Sequence, residues 1–523
     1  MSVFARRLAR LQPPGRERRR WLFVAYDQLH AGIGPLAAEP PDRLGIVVVE
    51  SRAKARRRPY HRQKLALVLT NLRHFALEQA ARGVAVRHVF SDGGYADALG
   101  RVARELGPLR VMRPAERELR RELAPLVADG SLVEIPHEGW LTTDADFAAT
   151  KGPPWRMDAF YRRVRQRSGI LMNGGKPDGG KYSFDADNRR PWRGEPPPPA
   201  PPTFTVDDIT NEVAELVARD FADHPGELRP EHLPATHDDA ERMWRWALGA
   251  CLPHFGPYED AMSTRSSGLF HTRVAPLLNL HRLLPRRVVD DVVAADLELN
   301  SKEGFVRQVL GWREFVRHVH AATDGFRALG GEALDTDALR ADAPLPRTFW
   351  GEAPSGLACL DQVIADVWRE AYSHHITRLM VLGNLATLLG VSPRELTDWF
   401  WVAYADAYDW VVEPNVLAMA TFAAGELMTT KPYVSGAAYI DRMSDYCRAC
   451  AFDPKTTCPV TPLYWEFLAR NRERLAGNQR LAMPLRSLAK RAESTKAADE
   501  QTARWVRVAL AAGERLHPDD PQR

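Results

Sequence analysis

Short apolar runs alternate with helical patterns through residues 21–145, and this alternation restricts the fold more than any other feature of the sequence. The apolar runs occupy residues 22–25, 45–49, 84–86 and 110–112, and a helix-like pattern fills residues 63–83. Strands that alternate with helices form βαβ units, in which helices cover a parallel sheet. We therefore predict a doubly wound, Rossmann-like α/β domain over residues 21–145.

After residue 145 the sequence pattern changes twice, first to a segment rich in glycine and proline and then to a helical period. Residues 146–225 contain glycine pairs and the proline run 196–199, which cannot continue a helix or a central strand. This segment is interpreted as an interdomain connector with a stiff, extended spacer. A 3.6-residue apolar period then recurs, as over residues 304–319 and 360–389, and predicts a large all-α domain over residues 226–510 followed by a tail at 511–523.

The first 20 residues carry seven arginines ahead of the first apolar run. We expect a solvated basic leader over residues 1–20, with a DNA-contacting arm as the alternative. The net charge of +4 permits a nucleic-acid partner without requiring one. No stretch approaches the roughly 18 uninterrupted apolar residues of a membrane span. The sequence therefore predicts a cytoplasmic protein without a membrane anchor.

Four of the five cysteines lie after residue 350, and they form the most specific pattern in the chain. Cys447 and Cys450 form a C-x2-C pair, Cys458 follows eight residues later, and Cys359 is distant in sequence. Five cysteines in 523 residues are too few for a secreted disulfide scaffold, and no thioredoxin-like context surrounds the pair. A metal site is favoured over scattered buried cysteines. Four thiolates suit zinc or a four-iron cluster, and the spacing leaves both open.

The motifs around these cysteines resemble those of the iron-sulfur bacterial cryptochromes and photolyases. The matching stretches are DRMSDYCRACAFDP at 441–454, LYWEFLARN at 463–471, GFVRQVLGWREF at 304–315, AYSHHITRLM at 371–380, YADAYDW at 404–410, KPY at 431–433 and DQL at 27–29. The resemblance covers residues 21–485 and implies the photolyase/cryptochrome fold, FAD and a 4Fe-4S cluster. It implies as cluster ligands Cys359, Cys447, Cys450 and Cys458. Seven residues separate Cys450 from Cys458, fewer than the family usually has, and we interpret this as a loop deletion that keeps both ligands.

The resemblance also implies a set of flavin and electron-transfer residues. The stretch 269–276 is similar to the family's phosphate loop, and His281 stands where the family commonly has a glycine. The implied FAD-binding residues are His271, Gln308, Trp312, Arg313, Arg378, Asp406 and Asn415. Arg378 precedes Asp406 by 28 positions, as in the pair that the superfamily places beside the flavin. Trp399 and Trp350 match electron-transfer residues, and Phe400 stands where a tyrosine is common.

A (6-4) photolyase must extrude the lesion, donate an electron from reduced FAD and move a hydroxyl between bases, which needs a proton donor. By resemblance, His374, His375 and Tyr433 lie at the lesion pocket, and we assign His375 as the donor, as an imidazolium near neutral pH. Both histidines are expected on one helix with Arg378. We predict a monomeric DNA-repair photolyase, a lyase that acts on UV-damaged DNA. A cryptochrome-like photoreceptor with both cofactors but no repair is the alternative, and a light-independent nucleic-acid-binding protein with a structural cluster is a third.

A lumazine antenna chromophore is common in the family that this chain resembles. The chain keeps DQL at 27–29 and HRQK at 61–64. However, Tyr26 replaces a glycine, Lys54 replaces an acidic residue, and residues 113–116 depart from an acidic-Pro-Gly pattern. Because these changes add bulk and reverse charge, we predict weak or absent antenna binding.

Overall fold

The computed structural model describes residues 2–13 and 19–520. Its N-terminal domain contains strands β1 Arg20–Phe23, β2 Leu44–Ser51, β3 Ala85–Ser91, β4 Leu109–Met112 and β5 Leu132–Ile135, and helices α1 Val3–Leu11, α2 Pro35–Ala38, α3 Arg52–Arg56, α4 Arg62–Ala81, α5 Tyr95–Leu106 and α6 Arg117–Ala128. The five strands are parallel and lie in the order β3-β2-β1-β4-β5. Every residue of β2 is buried, as expected for a strand covered on both faces. The predicted doubly wound sheet is confirmed.

The N-terminal segment differs from the solvated leader that we expected. Residues 3–11 form α1, and its Phe4 and Leu8 are buried among the side chains of the α/β domain. The Phe4 ring contacts His88 edge-on, with the centroids 4.9 Å apart. Leu8 follows Phe4 by four positions, so both lie on one helix face and the arginines lie on the others. Arg16 and Arg18 of the predicted leader lie outside the described residues.

The connector contains helices of its own. These are α7 Asp144–Ala148, α8 Met157–Ser168 and α9 Asp208–Asp220, with a short hairpin of β6 Met172–Asn173 and β7 Lys176–Pro177. Arg73 of α4 joins the sheet to α9, because it donates to Glu50 of β2 at 2.7 and 2.8 Å and to Glu212 of α9 at 2.7 Å. The connector is therefore packed against the α/β domain.

The C-terminal region is helical, as predicted, apart from a two-residue-per-strand hairpin of β8 Ala328–Leu329 and β9 Glu332–Ala333. Its helices are α10 His237–Trp246, α11 Leu252–Phe255, α12 Ala275–Asn279, α13 Pro285–Ala294, α14 Leu299–Val306, α15 Glu314–Ala322, α16 Ala358–Glu370, α17 Asn384–Leu389, α18 Pro393–Ala403, α19 Asp409–Val412, α20 Ala437–Met443, α21 Val460–Arg470, α22 Ala482–Ala489 and α23 Glu493–Ala512. Buried side chains of the sheet, such as Phe23, and of this region, such as Leu382, belong to one continuous core.

Four π-helical segments interrupt this region. They are Ala247–Cys251, Arg307–Arg313, Thr377–Gly383 and Glu413–Ala420, and the last three carry predicted site residues. Such segments often occur at functional sites. Within the described ranges, no helix is both long and apolar enough to span a membrane.

The helical period over residues 360–389 is interrupted in the structure. Helix α16 ends at Glu370, where Ala371 adopts a positive φ of 51°, and the π-helical segment begins at Thr377. The Ala371 carbonyl accepts a hydrogen bond from the Ala405 amide at 3.0 Å, which ties this break to the chain that leads to Asp406. His374 therefore lies in the connection between two helical segments and not on one helix with Arg378.

Candidate functional site

Arg378 and Asp406 form a partly buried ion pair in the helical domain. Each terminal nitrogen of Arg378 lies 3.0 Å from a carboxylate oxygen of Asp406, and Arg378 Nε donates to the Ser373 carbonyl at 2.7 Å. The guanidinium carbon lies 4.0 Å from the centroid of the Tyr404 ring. Burial, the largest single effect, would lower the pKa of Arg378, but the charge and hydrogen bonds of Asp406 together with Tyr404 and Tyr372 outweigh it, and the pKa is raised. The structure thus joins the two residues that we predicted to pair.

A cavity of 430 Å³ lies next to this pair. Tyr372 and Ala405 line it, and each is close in sequence to a member of the pair. Hydroxyl and cationic side chains form another part of its lining, namely those of Thr264, Ser266, Ser267, Arg273 and Arg369. The proline-rich residues 198–202 also line it. Serine, threonine and arginine side chains bind phosphate oxygens, whereas the proline and tyrosine rings suit an aromatic ligand.

Arg273 is held at the edge of this cavity by three contacts. Its Nη1 lies 2.7 Å from Glu370 Oε2, its Nη2 donates to Ser267 Oγ at 2.5 Å, and its guanidinium carbon lies 4.2 Å from the Tyr372 ring centroid. Arg273 falls in the predicted phosphate loop, but we had not singled it out. The hydroxyl-rich stretch 263–267, just ahead of that loop, was the sequence signal for this wall of the cavity.

Three histidines cluster beside the ion pair. The rings of His271 and His374 stack with their centroids 4.3 Å apart, and His375 lies edge-on to His271 at 5.2 Å. The backbone joins them to the pair, because the Arg378 amide donates to the His374 carbonyl at 3.2 Å. His271 and His374 are buried, whereas His375 is partly exposed. His375 is therefore the member that a bound molecule can reach.

Burial lowers the pKa of all three imidazoles. The pKa of His271 falls to about 3, mainly through burial and then through the charge of His375. The pKa of His375 falls to about 4, through burial and then through Arg307 and Arg378, while Asp185 acts in the opposite direction. His375 is thus neutral near pH 7 in the DNA-free protein. This differs from the imidazolium that we expected.

Glu259 is a buried carboxylate that sequence reasoning missed. Its Oε1 accepts from Gln308 Nε2 at 2.8 Å, and its Oε2 accepts from Asn188 Nδ2 at 2.9 Å. Its backbone carbonyl lies 3.1 Å from His271 Nε2. Glu259 therefore fixes the amide of Gln308 in relation to the histidine cluster. Nothing in its local sequence marks this role, because all its partners are distant along the chain.

Three further predicted FAD residues have other contacts. Arg313 donates to Asn279 Oδ1 at 3.3 Å, and Asn279 in turn donates to the Asp406 carbonyl at 2.8 Å, so Arg313 reaches the ion pair through one residue. The Trp312 ring lies edge-on to Phe315 at 6.2 Å. Asn415 donates to the Val411 carbonyl within its own helical segment at 2.8 Å. Their assignments to the flavin stay predictions.

Tyr433 is partly buried. Burial is the main cause that raises its pKa, and Asp158 and Asp185 raise it further. The charge of Asp185 also raises the pKa of His375, against the larger effect of burial. Arg307 Nη1 lies 3.3 Å from Asp185 Oδ1 and balances its charge.

The two predicted electron-transfer residues, Trp399 and Trp350, differ in burial. The Trp399 ring is buried, and its Nε1 donates to the Phe349 carbonyl at 2.9 Å. It lies edge-on to Tyr404, the ring beneath Arg378, at 6.1 Å. Trp350 is only partly buried. Phe400 stacks on Tyr404 at 5.2 Å.

All four predicted ligand cysteines line one small cavity. Its other walls are apolar or aromatic and comprise Leu357, Ala437, Ile440, Tyr446, Phe452 and Val460. Burial, followed by the nearby thiols of Cys458, Cys447 and Cys450, raises the pKa of Cys359 well above its usual value. Burial and then Cys458 raise the pKa of Cys447 to about 12. Four cysteine side chains on one apolar cavity match a donor set that a cationic iron centre would satisfy.

The shortened segment between Cys450 and Cys458 is an ordered turn. Asp453 Oδ1 accepts from the amides of Lys455 and Thr456, both at 2.9 Å, and the Asp453 carbonyl accepts from the Cys458 amide at 2.8 Å. This Asp453 turn brings Cys458 back to the cavity despite the deletion. Among residues 2–13 and 19–520, no three His, Cys, Asp or Glu side chains are grouped to hold a single metal ion.

The predicted antenna region is largely filled by side chains. The Tyr26 ring stacks against Tyr408 with centroids 6.2 Å apart, and Lys54 Nζ lies 2.5 Å from Glu116 Oε1. Lys64 Nζ donates to two backbone carbonyls of the helical domain at 2.6 Å. The remaining cavity measures 80 Å³, far smaller than the cavity beside Arg378.

His281, which stands where the family commonly has a glycine, has a left-handed backbone conformation. Its φ is +55°, and its Nδ1 lies 2.6 Å from the Asp27 carbonyl oxygen. The left-handed backbone accounts for the glycine that the family commonly has here, since a residue with a side chain is strained in this region.

Comparison with known proteins identifies similar sequences and similar folds. The family model described as "Deoxyribodipyrimidine photo-lyase-related protein" matches residues 22–233. A protein of Agrobacterium fabrum named (6-4) photolyase is 36% identical over 495 residues, which cover 91% of this chain and 96% of that protein. The crystal structure of a bacterial class III photolyase from Agrobacterium tumefaciens matches with a TM-score of 0.56 at 13% identity, covering 95% of this chain and 98% of that one. A Synechocystis cryptochrome structure matches with a TM-score of 0.54 at 14% identity, covering 92% and 99%.

Proposed function

Since the chain belongs to the deoxyribodipyrimidine photo-lyase-related family, we propose that it is a light-dependent DNA-repair photolyase that acts on (6-4) pyrimidine photoproducts. The observation that carries this proposal is the cluster of His271, His374 and His375 beside the Arg378–Asp406 pair. Electron donation needs a flavin next to the lesion, and hydroxyl transfer needs a proton donor there. The cluster and the pair supply residues for both requirements within one site.

The residues around the 430 Å³ cavity fit FAD. Ser266, Ser267 and Arg273 would hold the pyrophosphate, because hydroxyls and a guanidinium match phosphate oxygens. The Arg378–Asp406 pair would lie against the polar edge of the isoalloxazine ring. When bound, FAD supplies light absorption and the electron. The side chains of the chain bind and orient it and exclude water.

His375 would donate the proton to the lesion. It is neutral near pH 7 in the DNA-free protein, because burial and two arginines lower its pKa to about 4. The phosphates and the reduced flavin that accompany a lesion add negative charge, which raises the pKa of a nearby imidazole. The proton would therefore be taken up when DNA binds. Gln308, fixed by Glu259, would read the polar edge of the extruded base.

Two segments hold the loop that carries Tyr433 and suit a DNA contact. Arg156, which caps α8, donates to the Glu426 carbonyl at 2.9 Å. From the other segment, Asn478 donates to the Thr430 carbonyl at 2.8 Å. Both segments carry exposed arginines, namely Arg162, Arg163 and Arg167 on α8 and Arg472, Arg474, Arg480 and Arg486 after α21. Such charges bind the phosphate backbone, so we assign the two segments to the flanks of the lesion.

We also propose a 4Fe-4S cluster in the four-cysteine cavity. The support is the convergence of Cys359, Cys447, Cys450 and Cys458 on a single apolar site, which is the donor set of such clusters. A Cys359→Ala variant should lose most of its iron and its absorbance near 400 nm, a region that is typical of iron-sulfur clusters. Cys251→Ala, which removes a buried thiol elsewhere, should keep both. Equal iron in the two variants would contradict the site.

The decisive test of repair uses an oligonucleotide with one (6-4) photoproduct. Chemically reduced protein is illuminated, and restored thymines are counted by chromatography. We expect restoration by the wild type and by a His517→Ala surface variant, and its loss in His375→Ala. If the wild type binds and reduces FAD but restores no thymine, the repair proposal is wrong and the photoreceptor alternative is favoured.

A further inference from the structure

The segment that follows α23 is anchored by one buried side chain. Gly513 caps α23 with a φ of +76°, and residues 514–520 contain no helix or strand. Leu516 is 1% exposed, and among the described residues after Gly513 it alone is buried. It belongs to the same core as Leu357 and Cys359. Because an irregular segment stays ordered only where it is tied down, this leucine fixes the position of the segment.

Leu516 is in direct contact with residues 355–357, which lead into helix α16 and which we call the 355–357 strip. The Leu516 amide donates to the Ser355 carbonyl at 2.9 Å. A methyl group on Gly356 would overlap the Leu516 carbonyl oxygen, and the φ of Gly356 is +84°. Glycine therefore permits both the close approach of the two backbones and the left-handed conformation of the strip.

The 355–357 strip also forms part of the wall of the four-cysteine cavity. Leu357 is one of the residues that line this cavity. The carbonyl oxygen of Gly356 lies 3.9 Å from the sulfur of Cys450. Asp361 of α16 holds the strip in place, because its carboxylate accepts from the amides of Ser355 at 2.7 Å and Gly356 at 3.1 Å. The strip therefore contacts Leu516 and the cysteine site at the same time.

We propose that Leu516 is a clamp that holds the 355–357 strip on the four-cysteine cavity and so limits the access of water and iron chelators to it. This rests on the proposed 4Fe-4S cluster. An apolar shell controls solvent access to a metal site, and the strip supplies part of that shell. When the leucine side chain is shortened, the strip loses packing, and its local opening costs less free energy. Leu516 is thus a positioning residue that acts on the cluster site through the strip.

The first test is the rate at which the holoprotein releases iron to bathophenanthroline, a ferrous chelator, with dithionite and without oxygen. Leu516→Ala should release iron about tenfold faster than the wild type, because the strip opens more often. Leu516→Met keeps most of the volume and should stay close to the wild type. Leu488→Ala removes a leucine of α22 that is 4% exposed, and it controls for a general loss of stability. If Leu516→Ala releases iron no faster than Leu488→Ala, the clamp is refuted.

A matched pair of glycines tests the contact from the side of the strip. Gly356 and Gly107 have nearly the same φ, +84° and +85°, but an added methyl group meets Leu516 at Gly356 and nothing within 4 Å at Gly107. Gly356→Ala should therefore displace Leu516 and speed iron release as Leu516→Ala does. Gly107→Ala carries a similar backbone strain and should release iron at the wild-type rate. Wild-type release by Gly356→Ala would contradict the clamp.

A measurement that needs no iron separates the clamp from the proposed cluster. Hydrogen–deuterium exchange reports opening of the strip through the amides of Ser355 and Gly356, which donate to Asp361. We expect faster exchange of this peptide in Leu516→Ala, while far-UV circular dichroism and flavin absorbance confirm that the variant is folded. Wild-type protein without iron would contradict the proposed cluster, and faster exchange in the variant would still support the clamp. Unchanged exchange in Leu516→Ala, with iron bound by the wild type, would contradict the clamp alone.

Discussion

Replacing Asp406 by asparagine removes the charge that balances Arg378 while keeping the shape of the side chain. Both hydrogen bonds of the pair are charge-assisted and 3.0 Å long. Removing one partner of a buried pair costs about 3–5 kcal/mol, because the other charge is left without compensation. Arg378 keeps 21% of its side-chain surface exposed, so we expect the lower end, about 3 kcal/mol.

This cost corresponds to a measurable change in the melting midpoint. The entropy of unfolding is about 2.1 cal/mol/K per residue, so a helical region of about 300 residues has a total unfolding entropy of about 0.6 kcal/mol/K. A loss of about 3 kcal/mol therefore lowers the midpoint by about 5 °C. The assay is thermal unfolding followed by circular dichroism in excess FAD, so that flavin occupancy is matched between samples.

Two comparisons make the result specific to the ion pair. Asp398→Asn changes an exposed carboxylate, 61% accessible and 3.7 Å from Arg58, and should shift the midpoint by less than about 1 °C. Adding Arg378→Met to Asp406→Asn removes the unpaired charge and should recover part of the loss. If Asp406→Asn melts within about 1 °C of the wild type, the pair is not a stabilising element and our reasoning is refuted.

Three further perturbations test other parts of the molecule. Burial lowers the pKa of His61 to about 4, whereas the histidine of the unfolded chain has a pKa near 6.5, so the unfolded chain binds the proton first. The free energy of unfolding should therefore fall as the pH is lowered from 6.5 to 4, by up to about 1.4 kcal/mol per pH unit. Thermal melts of His61→Gln should show a weaker dependence of stability on pH. Arg472→Gln with Arg474→Gln should weaken DNA binding and reduce the slope of log affinity against log salt by about 2 in fluorescence anisotropy, whereas Arg504→Gln should leave it unchanged. Tyr26→Gly should increase the lumazine retained from a lumazine-producing host, measured by its fluorescence after release; equal retention by wild type and variant would show that Tyr26 does not block the site.

The strands of the α/β domain were predictable because their buried, apolar residues are consecutive in the sequence. Strand β2 is buried throughout and therefore appears as an apolar run. Strand β5 lies at the edge of the sheet with Val133 and Glu134 exposed, so it leaves no such run. Helix α1 was missed because its two buried residues, Phe4 and Leu8, are set among arginines that mask a narrow apolar face.

The candidate site was predictable only where a family motif marks it. The pairing of Arg378 with Asp406 followed from their spacing in the motif, and the four cysteines from theirs. Glu259 carries no such mark, because its role depends on neighbours that folding brings from distant segments. The break at Ala371 was also hidden, since alanine is the strongest helix former and only tertiary contacts impose its left-handed conformation.

The proline-rich lining of the 430 Å³ cavity makes one of its walls rich in hydrogen-bond acceptors and poor in donors. Four of the five residues 198–202 are prolines, which have no amide hydrogen, so this wall offers carbonyl oxygens and rings but almost no donors. The wall that contains Arg273 and Ser267 offers donors. A ligand with anionic phosphates and an amino-bearing ring would find donors on the Arg273 wall and acceptors on the proline wall. Because proline backbones are already restricted, the proline wall requires little ordering when such a ligand enters.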